Sequence, residues 1–320
     1  MLSGRRSGAV APPRSRPRRG ATALGVALLL AAATTGCTPA TVNPGGSVPQ
    51  DPPLSAHGLV QDGSELWTAD LIGGQLIRFD LGTGTISERY STSEGLCHPD
   101  DVAVVPGGDL VATCPAQGQV VRVHRGGTAT VLATVGAGVN PIVVDPSGSS
   151  VLVGFTYGGN QLLRVPLDGG PPQVVATGLP ALGGFGFGPD GNLYVPTGGL
   201  DGALGTGGLG RIDIGTGSFT QLPLSFPGEP SKTGFELAVA ADVGPDGTVY
   251  VAQSLDPAAY AVNPATGVAT LVGRSPLGVG DNIAALPDGR VLLSAFTGGS
   301  IAVFTPSAVG YTTTVRAIGG

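Results

Sequence analysis

Oxygen-bearing side chains recur at one place in this sequence. Six positions ahead of each of six tight-turn corners stand Ser55, Asp100, Asn140, Gly183, Val239 and Asp281, and the next positions hold Ala56, Asp101, Pro141, Gly184, Ala240 and Asn282. Carboxylates held close together in a partly enclosed site repel, and a divalent cation relieves that repulsion. Oxygen donors of this kind are the ligands that Ca²⁺ takes. No histidine or thiolate falls in the set, so Ca²⁺ is expected over Zn²⁺. The metal ligands expected from this pattern are Asp100, Asn140, Asp281 and Asn282; Ser55, His57 and Glu236 are expected to meet a ligand beside them. Nucleophilic catalysis by a Ser-His-Asp set finds no support, because His57, His98 and His124 are the only histidines and none stands beside a nucleophile motif.

The elements that would position these residues are read from the turns. The corners are Gln61 (Q-D-G), Pro106 (P-G-G), Pro146 (P-S-G), and Pro189, Pro245 and Pro287 (each P-D-G), with spacings of 45, 40, 43, 56 and 42. Proline presets φ at the corner and glycine supplies the left-handed residue of a three-residue hairpin loop. The cleanest copy runs from Gly280 to Phe304: strand, tight turn, strand, glycine turn, strand. The third strand repeats as Q-L-I-R-F-D, Q-V-V-R-V-H, Q-L-L-R-V-P and L-G-R-I-D-I, and a fourth follows each. A period of this length with four short strands per repeat predicts an all-β fold, a six-bladed β-propeller of four-stranded blades. Inner strands of a propeller line a central channel and their first residues meet at one rim. Blades six, one, two and three therefore present Asp281, Asn282, Ser55, Asp100 and Asn140 as a polar arc, faced by Gly and Val from blades four and five. The arginines repeated in the third strands (Arg78, Arg122, Arg164, Arg211) are structural, since one site has no use for four copies.

Composition agrees with the repeat. With 56 Gly, 28 Pro and 12% charged residues, the chain suits many turns and few helices, and the periodic Val/Leu/Ile runs separate it from a disordered sequence of similar composition. The repeat spans 57–320 without a break, so one domain is expected there. Residues 1–36 differ in kind: six arginines, no acid, then an uncharged stretch from Ala21 to Thr35 that is short for a bilayer span. This is an export signal. Its end, T-T-G-C at Cys37, is similar to a bacterial lipoprotein processing box, which implies acylation of Cys37; an ordinary cleaved signal is the alternative. Residues 37–56, rich in Pro, Gly and Ser, form a flexible tether. Without the signal, ten basic residues stand against 22 acids, a net charge of about −12. Nucleic acid is thereby excluded as a partner, and contact with a membrane is expected only through the lipid. The remaining partners are a small-molecule ligand or an envelope protein, for a chain that is extracytoplasmic and either membrane-anchored or secreted.

Two further stretches carry chemistry. Cys97 lies in the loop entering the inner strand of blade two and Cys114 at the end of the next strand, two places on the same face of a propeller. A disulfide is expected, and export makes it chemically accessible; a metal site with His98 lacks paired ligand spacing. The insertion 226–236, F-P-G-E-P-S-K-T-G-F-E, reads as a surface loop, or as a lid that brings Glu236 to the channel mouth.

The strand starts H-P-D-D-V-A-V-V-P-G-G, N-P-I-V-V-D-P-S-G and D-N-I-A-A-L-P-D-G resemble those of the senescence marker protein/gluconolactonase/luciferin-regenerating enzyme family. They are also similar to paraoxonases and strictosidine synthases, and the turn G-F-G-F-G-P-D-G-N-L-Y-V to NHL and virginiamycin-lyase propellers. The resemblance implies six blades and, in hydrolytic members, a divalent metal held by Asn and Asp at this strand-start position with a Glu from the first blade. Asp100 and Asn140 fall where Asn ligands would be, and Asp281, followed by Asn282, where the Asp would be. Blade one departs, offering Ala56-His57 in place of Glu, and blade four departs with Gly183. The function expected is an exported, lipid-anchored propeller that binds a small sugar- or lactone-like ligand at its channel mouth, as a metal-dependent lactonase-like hydrolase; the alternative is a non-catalytic module that docks a protein of the envelope or the extracellular space.

Overall fold

The computed structural model of the chain describes residues 47–198 and 205–319. The export segment, Cys37, the first part of the tether and residues 199–204 of the blade-four insertion lie outside the described residues.

Six four-stranded antiparallel sheets follow one another along the chain, each made of four consecutive strands. Blade one is Leu59–Asp62, Glu65–Asp70, Gln75–Asp80 and Ile86–Tyr90. The inner strands of blades two to six are Asp101–Val104, Val139–Val144, Gly186–Phe187, Ala238–Val243 and Gly280–Ala285. Second strands such as Leu110–Cys114 and Val291–Ala295 are buried along their whole length, because both faces of each blade pack against a neighbour. This is why they read as continuous apolar runs rather than as an alternation. The outer strands, such as Gln173–Thr177, are largely exposed.

The core is divided among the blade junctions. Six apolar clusters fill the six junctions, including Ile77 and Phe79 against Leu292 and Ile301 where blade six meets blade one. The ring is closed by this packing together with backbone bonds such as Gly319 N to Gly84 O (2.8 Å), and among the described residues no strand is exchanged between the first and last blades. Residues 47–56, assigned by composition to a tether, lie along that closing junction. Leu54 O accepts from Gly298 N (2.7 Å), Ala56 N donates to Ala295 O (3.1 Å), and Gln50 bonds both ways with the backbone of Ile86. Arg89 donates to the carbonyls of Pro49 and Asp51, and Pro53 and Ser55 are buried. The ordered ring thus begins before residue 57, because the backbone of this segment finds hydrogen-bond partners on blades one and six.

The three-residue loop is found in blades two, four, five and six; blade three closes over four residues, with Asp145 N donating to Ser150 O (2.9 Å), and blade one changes the turn itself. At Pro287-Asp288-Gly289, Leu286 N donates to Arg290 O and Gly289 N to Leu286 O, with Gly289 at φ 85°. This is the three-residue loop read from the sequence. Blade one instead pairs Asp62 directly with Glu65 across Gly63-Ser64, a two-residue turn with Gly63 at φ 63°. Its corner is Gly63 rather than Gln61. Every register position counted back from Gln61 is therefore displaced by two, and the residue that starts the inner strand of blade one is His57, not Ser55.

Candidate functional site at the channel mouth

Equivalent hydrogen bonds fix the corrected register: His57 N donates to Ala69 O in blade one as Asp100 N does to Thr113 O in blade two. Asp281, six residues ahead of its own corner, comes from blade six, where the pairing shifts between Gly280 and Ile283. These three residues converge. His57 Nδ1 lies 2.8 Å from Asp100 Oδ1 and 3.2 Å from Asp281 Oδ2. One ligand atom from each falls within 4.8 Å of the others. His57 and Asp100 are buried, and Asp281 is half-buried at the opening. The Phe296 ring packs at 4.8 Å from the imidazole, and His57 Nε2 is buried with no hydrogen-bond partner among the described residues. Nδ1 is the ring nitrogen that faces the carboxylates, so the Nδ1–H donates to them.

The electrostatics follow from that arrangement. Burial opposes a charged imidazole, but the charges of Asp281 and Asp100 and the hydrogen bonds they accept outweigh it and hold the His57 pKa well above its ordinary value. Burial pushes the Asp100 pKa up, His57 pulls it back, and the Asp281 charge adds to the rise. Tyr157, half-exposed at the mouth, has its hydroxyl pushed up by burial and then by the charge of Asp100.

The other expected site residues divide. Asn140 holds the equivalent position in blade three, half-buried, with its side-chain amide making no hydrogen bond to the described residues. Asn282 turns down the channel: its Oδ1 accepts from Ile283 N (2.7 Å) and its Nδ2 donates to Asp101 Oδ1 (3.3 Å). It is a strut of the layer below and does not join the three. Ser55 is scaffold, its Oγ donating to Asp70 Oδ1 (2.8 Å) and accepting from Ile72 N (3.1 Å). Glu236 lies beside Gly205, and its backbone N–H donates to Gln253 Oε1 (2.9 Å); it is not among the clustered groups. Cys97 and Cys114 are joined as a disulfide, with Cα atoms 6.0 Å apart.

Below the mouth the channel is closed by contact. Asp101 accepts from Val102 N (2.9 Å) and from Ile142 N of blade three (3.1 Å). Opposite it, Gly184 pairs in parallel with Ala240, and a Cβ on Gly184 would lie 2.9 Å from the Ala240 Cβ and 3.1 Å from Asn282 Oδ1. A separate cavity of 280 Å³ lies beyond this layer, lined by Gln61, Asp242 and Leu286 among others, and excludes the three mouth residues. Asp242 is half-buried there, and loss of solvent around its carboxylate pushes its pKa up to about 6, against the hydrogen bonds it accepts from the N–H groups of Ala285 and Val243. Burial likewise drives Asp101 well above the ordinary carboxylate range, and the charges of Asp100 and Asp281 reinforce it.

No family model and no curated protein matches the sequence. The structure does find likenesses. A virginiamycin B lyase from Staphylococcus aureus superposes with a TM-score of 0.60 at 14% identity, over 82% of this chain and 84% of that one. The chain has the six-bladed fold that such proteins share. A gluconolactonase from Xanthomonas campestris gives a TM-score of 0.60 at 17% identity, over 77% of this chain and 85% of its own. The PQQ-bound aldose sugar dehydrogenase from Streptomyces coelicolor gives 0.53 at 21%, over 70% and 81%.

Proposed function

We propose that this chain is an exported, lipid-anchored propeller whose channel mouth binds a divalent cation and a small lactone- or sugar-like ligand, acting as a lactonase-like hydrolase. The observation that carries the reading is the convergence of His57, Asp100 and Asp281 from three adjacent blades. Two carboxylates at this spacing are held together in the free protein by a proton on the imidazole between them, and a divalent cation can take the place of that proton. One nitrogen and two oxygens, with Asn140 able to add a third oxygen, form a donor set that suits Mn²⁺ or Zn²⁺ better than the all-oxygen set for which Ca²⁺ was expected.

When bound, such a cation would polarise a carbonyl oxygen and acidify a water. The chain's own residues have separate tasks. In the free protein Asp100 orients the imidazole through Nδ1, the atom that the cation would take, and Phe296 packs against the ring. The Asn140 amide and the Tyr157 hydroxyl, both without a hydrogen-bond partner among the described residues, are available to the oxygens of a ligand in the mouth. The fold likeness to a gluconolactonase supports a lactone, and the likeness to an aldose sugar dehydrogenase supports a sugar-like body.

The test is metal analysis of the purified protein, followed by hydrolysis of a lactone panel with added Ca²⁺, Mn²⁺ or Zn²⁺ and after chelation. Chelator-sensitive turnover that Asp281→Ala abolishes is expected. A protein that retains no metal and hydrolyses no lactone under any of these conditions would sink the reading. The anchor is tested by intact mass: membrane-extracted protein should exceed the chain beginning at Cys37 by at least a diacylglyceryl group, and a soluble product with another amino terminus would refute it.

A further inference from the structure

Each of the three mouth residues is delivered by an entry segment, and each segment is tied down separately. In blade one the tie is Asp70, the last residue of the second strand, whose carboxylate accepts from Ser55 N (3.0 Å), Ser55 Oγ (2.8 Å) and Leu54 N (3.2 Å), just ahead of His57. In blade six Ser254 Oγ donates to Gly280 O (2.7 Å), immediately before Asp281. In blade two the tie is covalent. Cys114 is the residue equivalent to Asp70, and it is bonded to Cys97, three residues ahead of Asp100. Blade five uses the same place again: Gln253 accepts from the N–H of Glu236, three residues ahead of Val239. The end of the second strand therefore anchors the entry segment in blades one, two and five, and of these ties only that of blade two can be cut by a reductant.

We propose that the Cys97–Cys114 disulfide is the positioning clamp for Asp100, so that the cation affinity of the mouth is set by the redox state of this pair. The inference rests on the cation reading of the mouth. Between Cys97 and Asp100 the only other side-chain hydrogen bond among the described residues is His98 Nδ1 to Leu71 O (2.8 Å). Asp100 is itself fixed by backbone bonds to Thr113 O and from Gly58 N, both 2.9 Å, so cutting the clamp loosens the segment without dismantling the strand. Cys114 is fully buried in the core between blades one and two, whereas Cys97 is half-buried and open to a small reductant. Reduction delivers two electrons and two protons to the sulfurs, giving two thiols; a water-soluble phosphine supplies the electrons and takes up the oxygen of one water as it becomes its oxide. The freed segment then holds Asp100 less well against the two remaining ligands, and ligand geometry is what a preorganised metal site depends on.

The experiment titrates the full chain with Mn²⁺ alone, at a temperature where circular dichroism shows it folded. It compares the oxidised protein, the phosphine-reduced protein and Cys97→Ala, which leaves the buried Cys114 in place. Mn²⁺ binding is expected to weaken about tenfold or more on reduction and in Cys97→Ala, and to return on reoxidation of the wild type only. Leu152→Ala, a core change on blade three, is the control for general loss of stability and should keep the oxidised wild-type affinity. Oxidised protein that binds no Mn²⁺ overturns the cation reading and the clamp with it. Oxidised and reduced proteins that bind Mn²⁺ equally overturn the clamp alone, and so does an equal loss of affinity in Leu152→Ala.

Discussion

The two halves of the channel mouth are built to opposite plans. Blades six, one and two bring charged side chains inward, and His57, Asp100 and Asp281 occupy the space between their strands. Blades four and five bring backbone inward. There Gly183, Gly184 and Ala240 let two inner strands meet directly, with Gly184 N donating to Val239 O at 3.0 Å and Ala241 N to Gly184 O at 2.7 Å. A repeat protein starts from pseudo-symmetry, and a site needs that symmetry broken. Here it is broken twice, by charge on one side and by the loss of side chains on the other, so that the mouth is a one-sided pocket rather than an open tube.

The largest expected effect separates the halves by function. Saturating divalent cation should stabilise the wild type by mass action, on the order of 2.7 kcal/mol at a hundred times the dissociation constant. For a domain of this size that is a rise in Tm of roughly 5 °C. Asp281→Ala should abolish the rise and His57→Ala should reduce it sharply. Asp246→Ala, in a turn on the other face, should leave it intact. Equal shifts in wild type and Asp281→Ala would erase the functional distinction between the halves.

Next comes the backbone half. A Cβ on Gly183 would sit 1.8 Å from Val239 O and 2.6 Å from its carbonyl carbon, and neither atom can move without parting the two strands. Gly183→Ala should cost about 3 kcal/mol, at the upper end of ordinary overpacking, measured by denaturant unfolding. Cation binding at the opposite side should survive wherever the variant is folded. A variant of wild-type stability would show that the close approach is not needed.

How much of this was legible beforehand depends on which turn carried the signal. Five corners announce themselves by Pro or Gly at fixed offsets, and from them the blade count and the places of Asp100 and Asp281 follow. Blade one hides its register. Its turn has no proline and is one residue shorter, so Gln61 stands in for a corner that is really Gly63. The missed signal was Asp62-Gly63, a dipeptide typical of two-residue hairpins. Counting from Gly63 would have put His57 beside Asp100 and removed the argument for an all-oxygen site. Asn282 was misplaced for another reason: the register shifts between Gly280 and Ile283, and such a local irregularity turns a side chain away from where simple counting puts it.

The channel below the mouth gives a smaller effect, with a sign that can be worked out. Asp242 has an ordinary pKa of 3.8 in the unfolded chain and about 6 in the fold. The folded state therefore holds its proton over a range where the unfolded state has lost it. The stability it contributes is complete below the unfolded pKa and is lost as pH rises from about 4 to about 6, by roughly 2–3 kcal/mol. Asp242→Asn should flatten that part of the stability–pH profile relative to wild type. Identical slopes over this range would mean that the carboxylate is hydrated through the adjoining cavity rather than desolvated by burial.

The smallest effect returns to the repeated arginines, which look alike in sequence and differ in the structure. Arg164 meets Asp145 at 2.9 Å and Arg122 meets Asp109 at 2.8 Å. Those acids stand directly before and three residues after their turn corners. In blade four the same two places hold Gly188 and Asn192, and Arg211 makes no ion pair among the described residues, its guanidinium lying by the Tyr194 hydroxyl instead. Asp145 is buried and accepts from Ser147 N; against the rise that burial would cause, the N–H and the hydroxyl of Ser147 and then Arg164 hold its pKa below the ordinary value. Removing Arg164 leaves a buried carboxylate short of one partner, whereas removing Arg211 leaves nothing unsatisfied. Arg164→Ala should cost about 1 kcal/mol at neutral pH, a figure kept low because the guanidinium is partly in water, and Arg211→Ala should stay within about 0.5 kcal/mol of wild type. Because a depressed carboxylate contributes its stability above the ordinary pKa and loses it as pH falls through the folded one, the Arg164→Ala deficit should shrink toward pH 3. Equal losses for the two variants, or a deficit that persists in acid, would show that the arginines act through the packing of their stems and not through the acids beside them.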